Sequence, residues 1–294
     1  MEPGFKTQLA ECHVGVIGLG LMGGSIALAL NGACRSISGY DIDPDAVGQA
    51  LDRGIIRRPI ELRGDEVDLL ILAAPVSAIL EWLDRVPRVF SGEFHLLDLG
   101  STKTAIVERM RLLPDRISPL GGHPMCGKET SGLNAADGDL YRGCLFVLTP
   151  LERTQPGTLD IAQELTAALH ARSRTLDSQQ HDHATAAISH LPYLISTTLV
   201  DAVMQLDADD AWALAASGFR DTSRLAASDV TMLLDVLKSN RGEVLHALES
   251  AQLSLQETIE LIERADWPEL RAKLSAVRDK RIWWEETQRV TNSE

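Results

Sequence analysis

The sequence predicts an α/β fold, with a doubly wound parallel sheet over residues 1–177 and an all-helical domain over 178–294. Three observations carry this. Short apolar runs alternate with helix-patterned segments from Val14 to Leu176, the order that builds a parallel sheet. The first of these runs opens directly into three spaced glycines. From Gln179 onward no strand-like run bounded by turns recurs, and apolar residues fall at helical spacing.

The first element is Val14–Ile17, a short apolar run that reads as a buried strand. Gly18, Gly20 and Gly23 follow in the spacing G-x-G-x-x-G, with Leu19, Leu21 and Met22 between them. Gly18 permits a tight turn, Gly20 leaves room for a pyrophosphate, and Gly23 lets the next helix pack on the strand. That helix, Ser25–Leu30, points its free N–H groups at the phosphates. A second strand, Ser36–Tyr40, ends at Asp41, an acid ~20 residues past the glycines, as a dinucleotide fingerprint requires. Its carboxylate accepts bonds from the ribose hydroxyls and repels a 2′-phosphate, which favours NAD over NADP. Two alternatives stand beside this Rossmann-type reading. One is a strand–helix unit with no ligand. The other is a membrane span, since Val14–Cys34 carries no charge; its six glycines and Asn31 argue against that.

The next elements follow in order. Asp43-Pro44-Asp45 caps a helix through Leu51, with Pro in the first turn. Val67–Ala73 is a buried strand ended by Ala74-Pro75-Val76, and Ser77–Val86 is a helix. Phe94–Leu99 is a strand that turns through Gly100-Ser101-Thr102-Lys103 into a helix ending near Leu112. Ile117–Leu120 leads to Gly121-Gly122-His123-Pro124. Cys144–Leu148 is a strand, Thr158–His170 a helix and Ser173–Leu176 a last strand. Ligands of such sheets lie beyond the carboxyl ends of the strands. The cofactor is therefore expected along Gly18–Gly23, Ala74-Pro75 and Ser101.

In the second half, His183–Leu206, Asp209–Ala216, Val230–Lys238, Arg241–Arg264 and Pro268–Arg289 read as helices. Several are strongly apolar. So much apolar surface in a small helical half calls for burial against a partner chain. Trp267, Trp283 and Trp284 read as helix packing or dimer contacts.

Composition narrows the function. The chain has 294 residues, 45% of them apolar, and a net charge of −14 from 42 acidic and 28 basic residues. A field of that sign disfavours nucleic acid and anionic membranes. An anionic substrate must be met by a local basic cluster. The four cysteines form no C-x-x-C pair and read as reduced thiols. The N-terminal segment lacks the basic region of a signal peptide, so a cytoplasmic enzyme is expected.

Three constellations can carry chemistry. The first joins Ser101 to His123, both at strand ends on the cofactor side. An imidazole there can take a proton from a hydroxyl whose carbon gives up hydride. The alternative is a histidine that caps a turn, and position alone leaves both open. The second is Arg220 and Arg224, four residues apart on one expected helical face. Forked guanidinium groups suit a carboxylate, though from the residues alone salt bridges to acidic helices are the favoured explanation. The third is His181, Asp182, His183 and His190. It lacks a further ligand at metal-binding spacing, so no metal is expected.

Taken together, VGVIGLGLMGGSIALAL, GYDID, LAAPVSAI, DLGSTK, GGHPMCGKETSG, HDHATAAISHLPY and SGFRDTSRLAASD resemble the prephenate dehydrogenase family. The resemblance runs in family order from residue 14 to residue 229. It implies NAD-dependent oxidative decarboxylation of prephenate to 4-hydroxyphenylpyruvate, in tyrosine biosynthesis. It implies His123 as the base toward the substrate hydroxyl, supported by Ser101, and Arg224 on a substrate carboxylate. Arg220 stands at a basic gate position with Glu129 as its acidic counterpart. Lys128, Tyr193 and His190 fall at further substrate positions, and the helical domain forms a homodimer. The chain departs from the family at Tyr193, where SHLPH is common, at Lys128, where a small hydroxyl residue is common, and in Asp229–Leu233, which lacks the usual Pro and Trp. These departures leave arogenate as an alternative substrate. A 3-hydroxyacid dehydrogenase would need a lysine early in the helical domain, and none occurs between Lys128 and Lys238. A non-catalytic NAD-sensing module would need an output surface such as a basic DNA-reading helix, and the acidic chain offers none.

Overall fold

The computed structural model describes residues 4–62, 64–128, 130–206 and 209–291. Among these, eight strands form one sheet: β1 His13–Ile17, β2 Ser36–Tyr40, β3 Arg58–Pro59, β4 Leu69–Leu72, β5 Phe94–Asp98, β6 Ile117–Pro124, β7 Leu145–Pro150 and β8 Arg172–Thr175. Their order is β3-β2-β1-β4-β5-β6-β7-β8. β1, β4 and β5 are buried along their whole length, because helices cover both faces of the sheet. One layer of the core gathers Val14, Val16, Ile71 and Leu97; the other gathers Ile17, Leu70, Leu72 and Leu96. The alternation of the pleat puts neighbours in sequence on opposite layers.

The covering helices are α1 Leu21–Ala29, α2 Pro44–Asp52, α3 Val76–Val89, α4 Thr104–Met110 and α5 Pro156–Ala168. Asp43 caps α2 as its sequence predicts, its side chain accepting the Asp45 N–H. The chain leaves β1 toward β2 on one side and returns to β4 on the other. This reversal opens the crevice in which ligands of such sheets bind.

Three strand features differ from the expectation. The sheet is mixed, since β6 and β7 pair antiparallel while the other pairs are parallel. A parallel return needs a crossover of a dozen or more residues, usually a helix. Among the described residues, the β6–β7 connection holds only a short 3-10 turn at Leu133–Ala135. The two-residue edge strand β3 also lies outside the predicted set, being too short and too polar to show a period. β6 is longer than its apolar run: it continues through Gly121 and Gly122 to Pro124, paired with β7.

After the sheet, α6 Ser178–Thr185, a π-helical turn Ala186–His190 and α7 Leu191–Gln205 form one helical run. It begins earlier than the predicted His183. Pro192 accounts for the interruption, because it lacks an N–H and its ring crowds the carbonyl one turn back. A π turn absorbs that misfit. By length and composition the run is apolar enough to cross a membrane. Its Asp182, however, is buried and binds the backbone of α4. Next come α8 Asp209–Ala213, α9 Ser217–Ser223, a 3-10 turn Arg224–Ala227, and α10 Val230–Ser239.

The chain divides into two compact units, Met1–Arg241 and Gly242–Glu294. The boundary expected at 177/178 falls inside the first. Polar bonds join α6 and α10 to the sheet's ligand end. Asp182 accepts from Lys103 and Thr104, Thr102 Oγ1 donates to Ser239 Oγ at 2.8 Å, and Asp235 accepts the Ser77 N–H at 3.0 Å. The second unit consists of most of α11 (Arg241–Glu263) and of α12 (Trp267–Thr291), held side by side by Lys273, which donates to Ser254 O and Glu257.

Candidate active site

The glycine turn is built by sterics. Gly18 has φ +92°, and a Cβ there would lie 2.3 Å from the Ala73 carbonyl oxygen. A Cβ on Gly23 would lie 1.7 Å from the Gly18 carbonyl oxygen. Gly20, between them, has open space where a side chain would stand. It is also the N-cap of α1 and, lacking a side chain, makes no side-chain cap to the first-turn N–H groups. An open backbone face at an uncapped helix start fits a pyrophosphate. Asp41 closes the turn: its Oδ2 accepts the Leu19 N–H at 2.6 Å and its Oδ1 the Asp43 N–H at 2.9 Å. Ala74 and Pro75 follow β4 beside this turn, and Pro75 is the N-cap of α3. These residues fit a dinucleotide, as the spacing predicts.

β5 and β6 carry the next layer outward. Gly100-Ser101-Thr102-Lys103 connects β5 to α4, and Ser101 is half-buried. Lys103 and Asp98 are fully buried and form an ion pair. Lys103 Nζ also donates to the Gly122 carbonyl at 2.7 Å, while Asp98 accepts the N–H groups of Gly100 and Gly122. Every group of the pair thereby has a partner, the condition under which buried charge is tolerated. The pair fixes the β5 turn against β6 immediately before His123.

His123 is the last-but-one residue of β6 and is half-buried. Its Nδ1 lies 2.8 Å from His181 Nε2, with the rings edge to face. His181 Nδ1 lies 2.8 Å from Asp182 Oδ1. Burial holds the His123 imidazole well below its usual pKa, and nearby His181, Lys103 and His190 push the same way. It is therefore neutral at physiological pH, the state a general base needs.

The other sequence candidates sit as follows. His190 ends the π turn and is 2% exposed, its Nδ1 3.4 Å from Asn240 Nδ2. Burial pushes its pKa down to about 4. Tyr193 is half-exposed in the first turn of α7. Lys128 is exposed and pairs with Asp137 at 2.8 Å. Arg220 is exposed on α9 beside Asp221. Arg224 does not continue that helix face as predicted. α9 ends at Ser223, and Arg224 opens the 3-10 turn, which Ser196 of α7 anchors by accepting the Ala226 N–H at 3.0 Å. Glu129 lies outside the described residues.

Sequence reasoning gave no role in the site to His181 and Asp182. Adjacent residues point to different sides of a helix, so periodicity gives no reason to link both to His123. Only the docking of α6 on the β5 and β6 ends brings the three together. Among the described residues no cluster of three or more His, Cys, Asp or Glu is arranged to hold a metal ion.

Comparison with known proteins agrees with this geometry. The family model described as prephenate dehydrogenase, nucleotide-binding domain matches residues 26–175. The model described as prephenate dehydrogenase, dimerization domain matches residues 177–276. A prephenate dehydrogenase of Lactococcus lactis is 36% identical, the match covering 85% of this chain and 71% of the relative. The crystal structure of prephenate dehydrogenase from Aquifex aeolicus, in complex with hydroxyphenyl propionate and NAD+, superposes with a TM-score of 0.84 at 29% identity, covering 92% of this chain and 97% of that one. Synechocystis arogenate dehydrogenase superposes with a TM-score of 0.80, also at 29% identity, covering 92% and 99%. With its glycine turn, its neutral histidine on β6 and these matches over most of its length, the chain belongs to the prephenate dehydrogenase family of NAD-dependent oxidoreductases.

Proposed function

We propose that the chain catalyses NAD-dependent oxidative decarboxylation of prephenate to 4-hydroxyphenylpyruvate, a step of tyrosine biosynthesis. The observation that carries this is the place of His123, at the ligand end of the sheet two strands from a dinucleotide crevice, with its Nδ1 2.8 Å from His181 Nε2. NAD, when bound, supplies the hydride acceptor. Gly18, Leu19, Gly20, Leu21, Met22 and Gly23 hold its pyrophosphate and Asp41 its ribose, with Ala74, Pro75 and Ser101 lining the crevice. His123 takes the proton of the substrate's ring hydroxyl, and Ser101 orients that hydroxyl. As the hydroxyl carbon gives up hydride, the ring carboxylate departs as carbon dioxide, the ring becomes aromatic, and the proton returns through His123 to the ring oxygen to give the phenol.

A substrate with two carboxylates meets a chain of net charge −14, so local cations must receive it. Arg224 binds a carboxylate, with Arg220 and Glu129 gating entry and Lys128, Tyr193 and His190 shaping the pocket. Losing such a charge-assisted contact costs ~1.5–3 kcal/mol, so Arg224→Ala raises KM for prephenate by about ten- to a hundred-fold with kcat less affected. The protein acts as a homodimer in the cytoplasm. Exposed Ile188, Met204, Leu206 and Leu214 in the helical segment support the first, and four free thiols the second. Light scattering near 32 kDa at micromolar concentration contradicts the dimer.

NAD reduction assayed with prephenate and with arogenate, side by side, tests the reading. Turnover with prephenate supports it. Turnover with arogenate alone makes this an arogenate dehydrogenase, which is the second reading that the Synechocystis likeness favours.

A further inference from the structure

His123 has two ring nitrogens, and the structure occupies one of them. Its Nδ1 faces His181 Nε2, and His181 Nδ1 faces Asp182 Oδ1, each at 2.8 Å. His181 and Asp182 are each only 1% exposed. The Asp182 carboxylate also accepts the Lys103 N–H on Oδ1 at 2.7 Å and the Thr104 N–H on Oδ2 at 2.8 Å. Backbone N–H groups can only donate, so this carboxylate is an acceptor throughout. Burial pushes its pKa up, but the bonds from His181, Thr104 and Lys103 outweigh that and hold it below the usual carboxylate range.

The rest follows from one assignment to the next. His181 must carry its hydrogen on Nδ1, where it meets Asp182. A neutral His181 then presents a bare lone pair at Nε2. The facing His123 Nδ1 must carry a hydrogen to meet it. The lone pair of His123 is left on Nε2, the nitrogen not held by His181.

We propose that His181 and Asp182 are positioning residues that lock His123 in the Nδ1–H tautomer and draw the reaction's proton inward. This rests on His123 being the base. The substrate O–H proton passes to His123 Nε2, and its electron pair stays on oxygen to form the carbonyl as hydride leaves the same carbon for NAD. The Nδ1 proton of His123 moves to His181 Nε2. His181 keeps its Nδ1 hydrogen on Asp182. The step ends with a neutral His123 and an imidazolium in contact with a carboxylate. Charge is better placed there. At His181 the charge lies 2.8 Å from the Asp182 carboxylate, whereas the group facing His123 Nδ1 is an imidazole. The neighbouring Lys103 is already neutralised by Asp98, and His190 meets the uncharged Asn240.

The test begins on the free protein with ¹⁵N-histidine NMR, which reads tautomers without turnover. Wild type should show His123 as Nδ1–H, and His181→Phe should show both tautomers. Wild-type His123 found as Nε2–H overturns the proposal. Kinetics then test the proton step. His181→Gln offers an oxygen that accepts Nδ1–H but cannot take its proton. It should keep the tautomer and both KM values and lose kcat by about 10²-fold, within the span of general-base effects. A His181→Gln variant with wild-type kcat overturns the inward transfer. Asp182→Asn should disorder the tautomer in the same way; if it fails to fold, the His181 variants decide alone. Absence of any turnover with prephenate or arogenate would sink the proposed reaction, while the NMR result would still judge the tautomer.

Discussion

The Asp41 carboxylate accepts the Leu19 N–H at 2.6 Å and so stands at the mouth of the glycine turn. One acid thus braces the loop, and in the proposed function the same carboxylate receives the adenosine ribose. A 2′-hydroxyl can donate to it, whereas a 2′-phosphate is repelled. Asp41→Asn is expected to narrow the NAD-over-NADP ratio of kcat/KM by about ten-fold or more, since each 1.4 kcal/mol is ten-fold. A wild-type enzyme that uses both cofactors equally would contradict this role.

Gly20 and Gly23 separate binding from folding. A methyl on Gly20 meets open space, so Gly20→Ala should leave the melting temperature within about 1–2 °C while raising KM for NAD. A methyl on Gly23 meets the Gly18 carbonyl at 1.7 Å, so Gly23→Ala should destabilise the fold by at least about 1–3 kcal/mol. Thermal melts with and without NAD distinguish them. Equal behaviour of the two variants would refute the division of labour.

Much of this was legible in the sequence. β1 declares itself by a run of apolar residues ending in glycine, and Asp41 by its place at the end of β2. The reversal of β7 was not legible, because strand direction depends on the length and path of the connection after Pro124 rather than on the apolar run Cys144–Leu148. The π turn at Ala186–His190 is signalled only by Pro192, which the helical spacing around it hides. Arg220 and Arg224 illustrate a third limit. Spacing of four predicts a shared face only while the helix continues, and this helix ends between them. The ring of His123 meets His181 across 58 positions, a pairing only the docked α6 reveals.

His190 gives a pH signature. Burial lowers its pKa from 6.5 to about 4, so the unfolded chain binds a proton there more readily than the folded one. Stability therefore rises with pH through that window, and falls as pH drops from 6.5 toward 4. At pH 5 this single group accounts for about 2 kcal/mol relative to pH 8. His13, His95 and His123 shift in the same direction, so the whole protein loses more. Urea unfolding of wild type and His190→Gln at pH 8 and pH 5 should show the smaller loss in the variant. Parallel losses would mean that His190 is protonated as easily folded as unfolded.

The account turns on His123 as the base. Substituting His123→Asn keeps a polar side chain near Nδ1 of the original ring but removes the basic nitrogen facing the substrate. The most direct measurement is kcat for NAD reduction with prephenate across pH, in wild type and in His123→Asn, with NAD affinity taken alongside. A fall in kcat of about 10²–10⁴-fold, loss of the limb that rises with pH, and unchanged NAD affinity are the predicted result. Near-normal kcat with the same pH profile in His123→Asn would contradict the account.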